Sequence, residues 1–273
     1  MKIFFDKLRK SNVNIIYKIG QKNEFSSLKI HSGLIDFGDD LVIKEIENGQ
    51  WETGSIHIWV KLLKLFKFDN VYDIGAYNGI YGIIACELLK SDSKIRFIEA
   101  NPFVYSRLIA NLKLNGLSSA KAKWGAISDS DESSIQMHLR LDPSALTTAG
   151  STIRRDNTFS VAAPNINITH LVSSLKGTLL AKIDIEGAEI PLVRQLLEKY
   201  RDATSIIMLE ILTESNFREI LKIAGLNDFI IYPINEKSRA LGNLFSFSTF
   251  GINRNYLVAS TKAKSIINAL NKT

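Results

Sequence analysis

From Asn70 onward the chain alternates short apolar runs with helix-length stretches, and few architectures accept that rhythm. The runs expected as strands are Asn70–Ile74, Lys94–Ile98, Ala122–Ile127, Leu179–Ile185, Ser205–Ile211, Phe229–Tyr232 and Tyr256–Ser260. Between them, Gly79–Lys90, Pro102–Leu114, Glu189–Tyr200 and Asn216–Ala224 read as helices. A strand, a helix and a further strand in succession imply a crossover, so the pattern predicts a largely parallel sheet with helices on both faces, a doubly wound α/β fold. The last two strands have no clear helix between them, and the final one is expected to enter antiparallel. Ligands of such sheets sit at the carboxyl ends of the strands, near the point where the strand order reverses.

Composition agrees with this picture. An apolar share of 45% with 14 Phe, 8 Tyr and 3 Trp in 273 residues excludes a disordered chain. The formal charge of +6 is unevenly spread: residues 1–30 carry seven Lys/Arg against Asp6 and Glu24, and residues 254–273 carry four cations and no acid. The body between them is therefore net −3. Basic ends can dock on an acidic surface, such as an anionic membrane face through the N-terminus, but solvated tails are the reading preferred here. Cys86 stands alone and cannot form an internal disulfide, and the Ile3-Phe4-Phe5 run is broken by Asp6 and Lys7 before a signal-type apolar stretch can develop. A cytoplasmic protein is expected, so the Asn167 and Asn271 sequons are chance matches.

Residues 1–68 are expected to form an N-terminal extension packed on a core of residues 69–273. Residues 1–30 are open to a helical reading. Gly33 to Trp51 reads as a hairpin around Gly38-Asp39-Asp40, and Ile56 to Phe66 has apolar residues at helical spacing.

The chemistry gathers at strand ends. The first strand runs into Asp73-Ile74-Gly75-Ala76-Tyr77-Asn78-Gly79, an acid before a small-residue turn that opens a helix, where a backbone can approach a nucleoside closely. Its glycines fall as G-x-x-x-G-x-x-G, not as the G-x-G-x-x-G of dinucleotide binders, which disfavours a nicotinamide oxidoreductase. The Asp73 carboxylate also suits a cationic ligand better than a pyrophosphate. The second strand ends Glu99-Ala100-Asn101-Pro102, and Glu99 follows Gly75 by 24 residues, near the offset of about 20 at which an acid receives ribose hydroxyls. Asn101-Pro102-Phe103 lacks a second proline and follows the wrong strand to be the motif of nucleic-acid amino methyltransferases.

The fourth strand reads Lys182-Ile183-Asp184-Ile185-Glu186-Gly187-Ala188-Glu189, with Lys182, Asp184 and Glu186 on one side. A Lys and an Asp in a central strand are costly unless paired or functional. Glu189 suits the positive end of the following helix. Asp184 and Glu210, at adjacent strand ends, have the oxygen chemistry of a hard-cation site, but no third ligand is evident and no metal is expected. His31, His57, His138 and His170 are each isolated and read first as structural or surface residues; the last two flank the long segment 129–178, where Ser151-Thr152-Ile153-Arg154-Arg155 offers groups for an acceptor pocket, although an exposed polar loop is the reading preferred here.

These three blocks, 73–79, 97–102 and 182–189, resemble the signatures of FkbM-type S-adenosylmethionine-dependent methyltransferases, over roughly Trp51 to Ser260. Tyr77 stands where the family usually has Asn, with Asn78 beside it, and Ala100 stands where it usually has Pro. Gly49-Gln50-Trp51-Glu52 resembles the family's segment before the first core strand, often with a Glu. The resemblance implies a Rossmann-like class I methyltransferase sheet of seven strands, the last antiparallel. It implies S-adenosylmethionine as cofactor, with Asp73, Gly75, Ala76, Tyr77, Asn78 and Gly79 at the methionine portion and Glu52 and Asp184 as further cofactor-binding residues. Glu99, Ala100 and Asn101 would take the ribose, and Ala126, Ser128 and Asp129 would border the adenine. The implied reaction is O-methylation of a sugar, glycan or small-molecule hydroxyl, with Asp184 as candidate base, Lys182 as orienter or alternative base, and His170 as a further candidate. The competing class is a non-catalytic or nucleic-acid-binding protein retaining this fold; with the basic charge confined to the ends, no nucleic-acid partner is expected.

Overall fold

The computed structural model describes residues 12–14, 17–19, 22–24, 29–31, 45, 50–90, 95–117, 121–140, 150–151, 158–185, 187–242 and 254–270. Most of the hairpin expected over Gly33 to Trp51, residues 152–155, Glu186 and the Asn271 sequon lie outside them. The described pieces of residues 1–30 are strands, where the sequence left helix open: β1 (Asn12–Asn14), β2 (Tyr17–Ile19), β3 (Lys22–Glu24) and β4 (Lys29–His31). They pair antiparallel as β1 with β4 and β2 with β3. Val13, Ile19 and Ile30 each sit beside polar Asn or Lys, and β-branched residues in short alternation favour extended chain.

The core follows in chain order. Helix α1 (Thr53–Leu65) leads to β5 (Asn70–Ile74), α2 (Ile80–Leu89), β6 (Ile95–Glu99), α3 (Pro102–Leu114), β7 (Lys121–Trp124) and β8 (Ala126–Ser128). Then come β9 (Ser134–Arg140), β10 (Gly150–Ser151), β11 (Thr158–Asn167), α4 (Ile168–Ser174), β12 (Leu179–Ile183), α5 (Glu189–Lys199), β13 (Ser205–Glu210) and α6 (Glu214–Leu226). The chain ends with β14 (Phe229–Asn235), β15 (Ala240–Leu241), β16 (Asn255–Ser260), a 3-10 turn (Thr261–Ala263) and α7 (Lys264–Leu270).

The main sheet has the order β15-β14-β16-β13-β12-β5-β6-β7. Strands β7, β6, β5, β12 and β13 are mutually parallel. The last strand, β16, inserts antiparallel between β13 and β14. The seven expected strands are present, in the arrangement expected of a class I methyltransferase, with the two-residue β15 added at the edge.

Alternation along β12 divides the molecule into two layers. Leu180 joins the apolar cluster under α1, α2 and α7, whereas Leu179, Ala181 and Ile183 join the one under α4, α5 and α6. Helix α1, assigned from sequence to the extension, shares that first core: Ile56, Trp59, Val60 and Leu62 are wholly buried in it. Trp59 donates its indole N–H to the Tyr81 carbonyl at 3.0 Å and meets the Tyr81 ring edge-on at 5.4 Å. Burial of such a side chain stabilises by about 1.5–3 kcal/mol, and the aromatic pair adds about 1 kcal/mol. The basic C-terminal stretch is likewise structured, because α7 packs Ile266, Ile267 and Leu270 into the same core while Lys262 and Lys264 stay exposed.

Two differences from the sequence reading shape the site. The third expected strand, Ala122–Ile127, is broken at Gly125 into β7 and β8; a Cβ there would lie 2.7 Å from the Pro164 carbonyl, so only glycine admits the crossing of β11. The long segment 129–178 is also not a plain loop. Strands β9 and β11 form an antiparallel ladder, β11 runs parallel to β8, and together with β10 they make a second four-stranded sheet.

Candidate active site

The strand order reverses between β5 and β12, and a cavity of about 340 Å³ opens at their carboxyl ends. Asp73 closes its floor. It is 1% exposed, accepts a hydrogen bond from the Gly82 amide at 2.9 Å, and burial pushes its carboxyl up to about 7 against the opposing pull of that bond and of Lys182.

The turn after β5 is shaped by neighbouring strands. The Gly75 and Ala76 amides donate to the Ile98 carbonyl on β6, and Gly75 has a φ of +72°. A Cβ on Gly75 would lie 1.7 Å from the Asp184 carbonyl, so its absence lets the end of β12 close on the turn. Tyr77, the residue that departs from the family pattern, holds a left-handed φ of 52°, and the Arg107 guanidinium lies 4.7 Å from its ring centroid.

Glu99 braces both turns. One carboxylate oxygen accepts from the Tyr77 amide at 2.9 Å and the other from the Asn101 amide at 2.8 Å. Burial raises its pKa and these backbone donors oppose the rise. Asn101 caps α3 by accepting from the Phe103 and Val104 amides, while Asn78 accepts from the Ile80 amide through Oδ1.

The other half of the cavity is built from side-chain charges. The Lys182 ammonium is 2% exposed, 3.2 Å from an Asp184 oxygen and 5.6 Å from the Tyr81 ring centroid. Burial alone would lower its pKa, but the carboxylates of Asp184, Glu52 and Glu210 outweigh it and hold the ammonium charged. Asp184 is 39% exposed to the cavity. Desolvation raises its carboxyl, yet Lys182 and hydrogen bonds from Glu210 and Lys182 bring it below the ordinary value. Glu210 is pushed up to about 9 by burial and by the charge and hydrogen bond of Asp184.

Glu52 enters from the start of α1 with a left-handed φ of 42°. It accepts from the Tyr81 hydroxyl and from Asn255 Nδ2, and burial raises its pKa. Its position depends on Glu236, whose Oε2 accepts from the Gly54 and Ser55 amides at 2.6 and 3.1 Å and so caps α1 from 182 residues away. Glu52, Asp184 and Glu210 converge with oxygens within 4.8 Å of one another. Glu52 is thus the third carboxylate that the sequence did not reveal beside the other two.

Of the residues singled out from sequence, Glu52, Asp73, Gly75, Ala76, Tyr77 and Asn78 line this one cavity, as do Glu99, Ala100, Asn101, Ala126, Lys182 and Asp184. Gly79 stands just behind it as the N-cap of α2, where a Cβ would strike Leu108 at 2.5 Å. Ser128 and Asp129 are not brought to the cavity, because β8 leaves the main sheet to pair with β11, the Ser128 hydroxyl bonds to Asn165 Oδ1 and Asp129 is exposed. His170 lies on α4 in a separate cleft lined by Tyr72, Arg96 and Asp131. His138 binds the Ser160 hydroxyl across the β9–β11 ladder. The residues missed include Tyr81, Met137, Glu210 as a cavity group, Leu212 and Arg254. Glu210 carried the same strand-end signal as Asp184; the others carried none.

The cavity leaves polar atoms for a ligand, and its donor set is compatible with S-adenosylmethionine. Asn78 Nδ2 and Asn101 Nδ2 are buried without a hydrogen-bond partner on residues that line it. Two amide donors, two strand-end carboxylates and a glycine turn match the amino acid and ribose groups of such a molecule.

No curated protein matches the chain. Among solved structures, similarity extends to the precorrin-6y C5,15-methyltransferase of Geobacter metallireducens GS-15, 12% identical over 77% of this chain and 88% of that one, with a TM-score of 0.41. It extends also to a ribosomal protein L11 methylase from Lactobacillus delbrueckii subsp. bulgaricus, at 13% identity, 76% and 77% coverage and a TM-score of 0.40. A SAM-dependent O-methyltransferase of Thermotoga maritima is 12% identical over 76% of this chain and 64% of that one, with a TM-score of 0.38. Residues 73–239, which run from the Asp73 strand end through both halves of the cavity, match the methyltransferase FkbM domain, and the chain belongs to that family.

Proposed function

We propose that this protein transfers the methyl group of S-adenosylmethionine to a hydroxyl of a sugar, glycan or small-molecule acceptor. The observation that carries the reading is the division of one cavity into a half of backbone-braced acids, Asp73 and Glu99, and a half where Lys182, Asp184 and Glu210 meet. The first half holds the ligand: Asp73 and Asn78 with the turn take the amino acid portion, Glu99 and Asn101 the ribose. When bound, the cofactor supplies an electrophilic methyl on a positively charged sulfur. The second half serves the acceptor, since a hydroxyl must be aligned and relieved of its proton for in-line displacement. Ile185, Leu212 and Arg254 border that half at the rim. Asp184 is the candidate base, with Lys182 fixing its position.

Calorimetry with S-adenosylmethionine on the wild type and Asp73→Ala tests the first half, with binding expected in the wild type and at least about tenfold weaker in the variant. Mass analysis of products from glycan precursors and small hydroxylated acceptors then tests the second. Asp184→Asn should leave cofactor affinity intact and reduce turnover by about 10²-fold or more. No heat with the wild type would count against the whole reading, and unchanged turnover in Asp184→Asn would remove the base assignment.

A further inference from the structure

We propose that the corner of the molecule opposite the cavity, where α1 ends and α7 begins, is a docking surface for an anionic lipid bilayer. The topology brings these two helix ends together. Helix α1 starts beside Glu52 at the cavity and runs for 13 residues, about 20 Å, to the amino edge of the sheet, where β5 begins. Strand β16 makes the same journey. The Arg254 carbonyl accepts from the Ile211 amide at the cavity end, and Ser260 Oγ accepts from the Ser205 amide at the amino edge. The 3-10 turn and α7 therefore start at that edge as well. Leu62, Leu63, Ala263, Ile266 and Ile267 share one buried cluster, so α1 and α7 pack in one layer and turn their polar faces to the same side.

Lysines fill this corner. Lys61, Lys64 and Lys67 come from the end of α1 and the residues after it, Lys262 and Lys264 from the turn and the start of α7; all but half-buried Lys61 are exposed. Neither 53–68 nor 254–270 contains an acid. Asp228 stands beside the turn, its carbonyl accepting from the Thr261 amide, while the Asp69 carboxylate is engaged by the Thr178 amide and hydroxyl. Among the described residues, no carboxylate pairs with Lys61, Lys67, Lys262 or Lys264. Ammoniums gathered with so little opposing charge repel one another, and an anionic surface relieves that repulsion. Apolar side chains stand among them. Leu65 is 44% exposed, and Ile230 is 41% exposed opposite Ala259, whose burial in the shared cluster shows that Ile230 faces the same layer. Aliphatic groups that can enter the acyl boundary, ringed by lysines whose stems lie along it and whose ammoniums reach the headgroups, are the composition of a peripheral lipid contact. Phosphates and bases of a nucleic acid would call for arginine forks and free rings. Residues 53–68 and 261–270 have no arginine, and the Phe66 ring packs on Phe68 at 5.0 Å. The acids of the cavity lie at the other edge of the sheet, so the charge distribution itself turns the lysine corner toward an anionic leaflet and leaves the cavity open to water.

Vesicle flotation with the full chain tests this, comparing vesicles in which about a third of the lipid is phosphatidylserine with pure phosphatidylcholine. The anionic vesicles should bind at least about tenfold more tightly, and raising the salt from about 0.1 to about 0.5 M should weaken that binding at least about tenfold. Lys61→Gln, Lys67→Gln, Lys262→Gln and Lys264→Gln combined should weaken it by about 10²-fold or more, since each lysine near an anionic surface contributes about fivefold. An unaltered melting temperature checks that this variant folds. Leu65→Ser with Ile230→Ser should weaken vesicle binding by about threefold or more through lost apolar burial. Lys2→Gln, Lys7→Gln, Arg9→Gln and Lys10→Gln combined are the control for the basic N-terminus and should weaken binding less than the four helix-end substitutions do. No binding by the wild type, equal binding to both kinds of vesicle, or a greater loss in the N-terminal variant overturns the proposal. A short DNA duplex that binds more tightly than the anionic vesicles, with Leu65→Ser and Ile230→Ser leaving vesicle binding unchanged, reassigns the corner to nucleic acid.

Discussion

The two halves of the cavity hold acids by opposite means. Asp73 and Glu99 are fixed by backbone amides from residues at most 22 positions away, Gly82, Tyr77 and Asn101. Glu52, Asp184 and Glu210 are held by one another, by Lys182, and by Tyr81 and Asn255, across separations of up to 203 residues. Backbone amides do not titrate, so the acids of the first half keep the same hydrogen-bond donors whatever their charge. The charges of the second half depend on one another, so a change at one is felt at the others.

The seam between the halves is the largest lever. Gly75→Ala puts a methyl against the Asp184 carbonyl at a positive φ and should cost more than about 3 kcal/mol, lowering the melting temperature by roughly 6–12 °C. A smaller drop would mean that the halves are less tightly joined than their geometry indicates. Asp73→Asn removes the titrating group and keeps its hydrogen-bond acceptor. An acid whose folded pKa is raised from 3.8 to about 7 is bound to its proton longer in the folded state. Its contribution to stability therefore falls as pH climbs from about 4 to 7 and is level above that. Urea unfolding should show that fall flattened in Asp73→Asn, where the Gly82 amide keeps an acceptor; an unchanged profile would place the proton elsewhere. The smallest effect is expected at Glu236→Ala, which uncaps α1 and frees Glu52: about 1 kcal/mol of stability, or roughly 2–4 °C in melting temperature.

Much of this was open to reading in the chain itself. Alternating apolar runs located each of the seven main strands, because a strand buried on both faces cannot hide its composition. The end of the third was misread, since Gly125 breaks it and nothing local says that Pro164 will cross there. Ser134–Arg140 carried a period-two pattern in Ile135, Met137 and Leu139, yet it signified a strand only once β11 supplied its partner. Within the site, Asp73, Glu99 and Asp184 were visible because each ends a strand of a parallel sheet, and strand ends converge. Ser128 and Asp129 follow a strand end too, but β8 turns out of the sheet and carries them off.

The sequence by itself determined the sheet, its helical layers, the family and the strand-end acids Asp73 and Glu99, all of which depend on neighbours in the chain and on the period of the apolar pattern. Only the tertiary structure decided that Glu52, Lys182, Asp184 and Glu210 share one charged cluster. Their charges interact over a few ångströms of space, and a linear chain does not record which distant side chains will come that close.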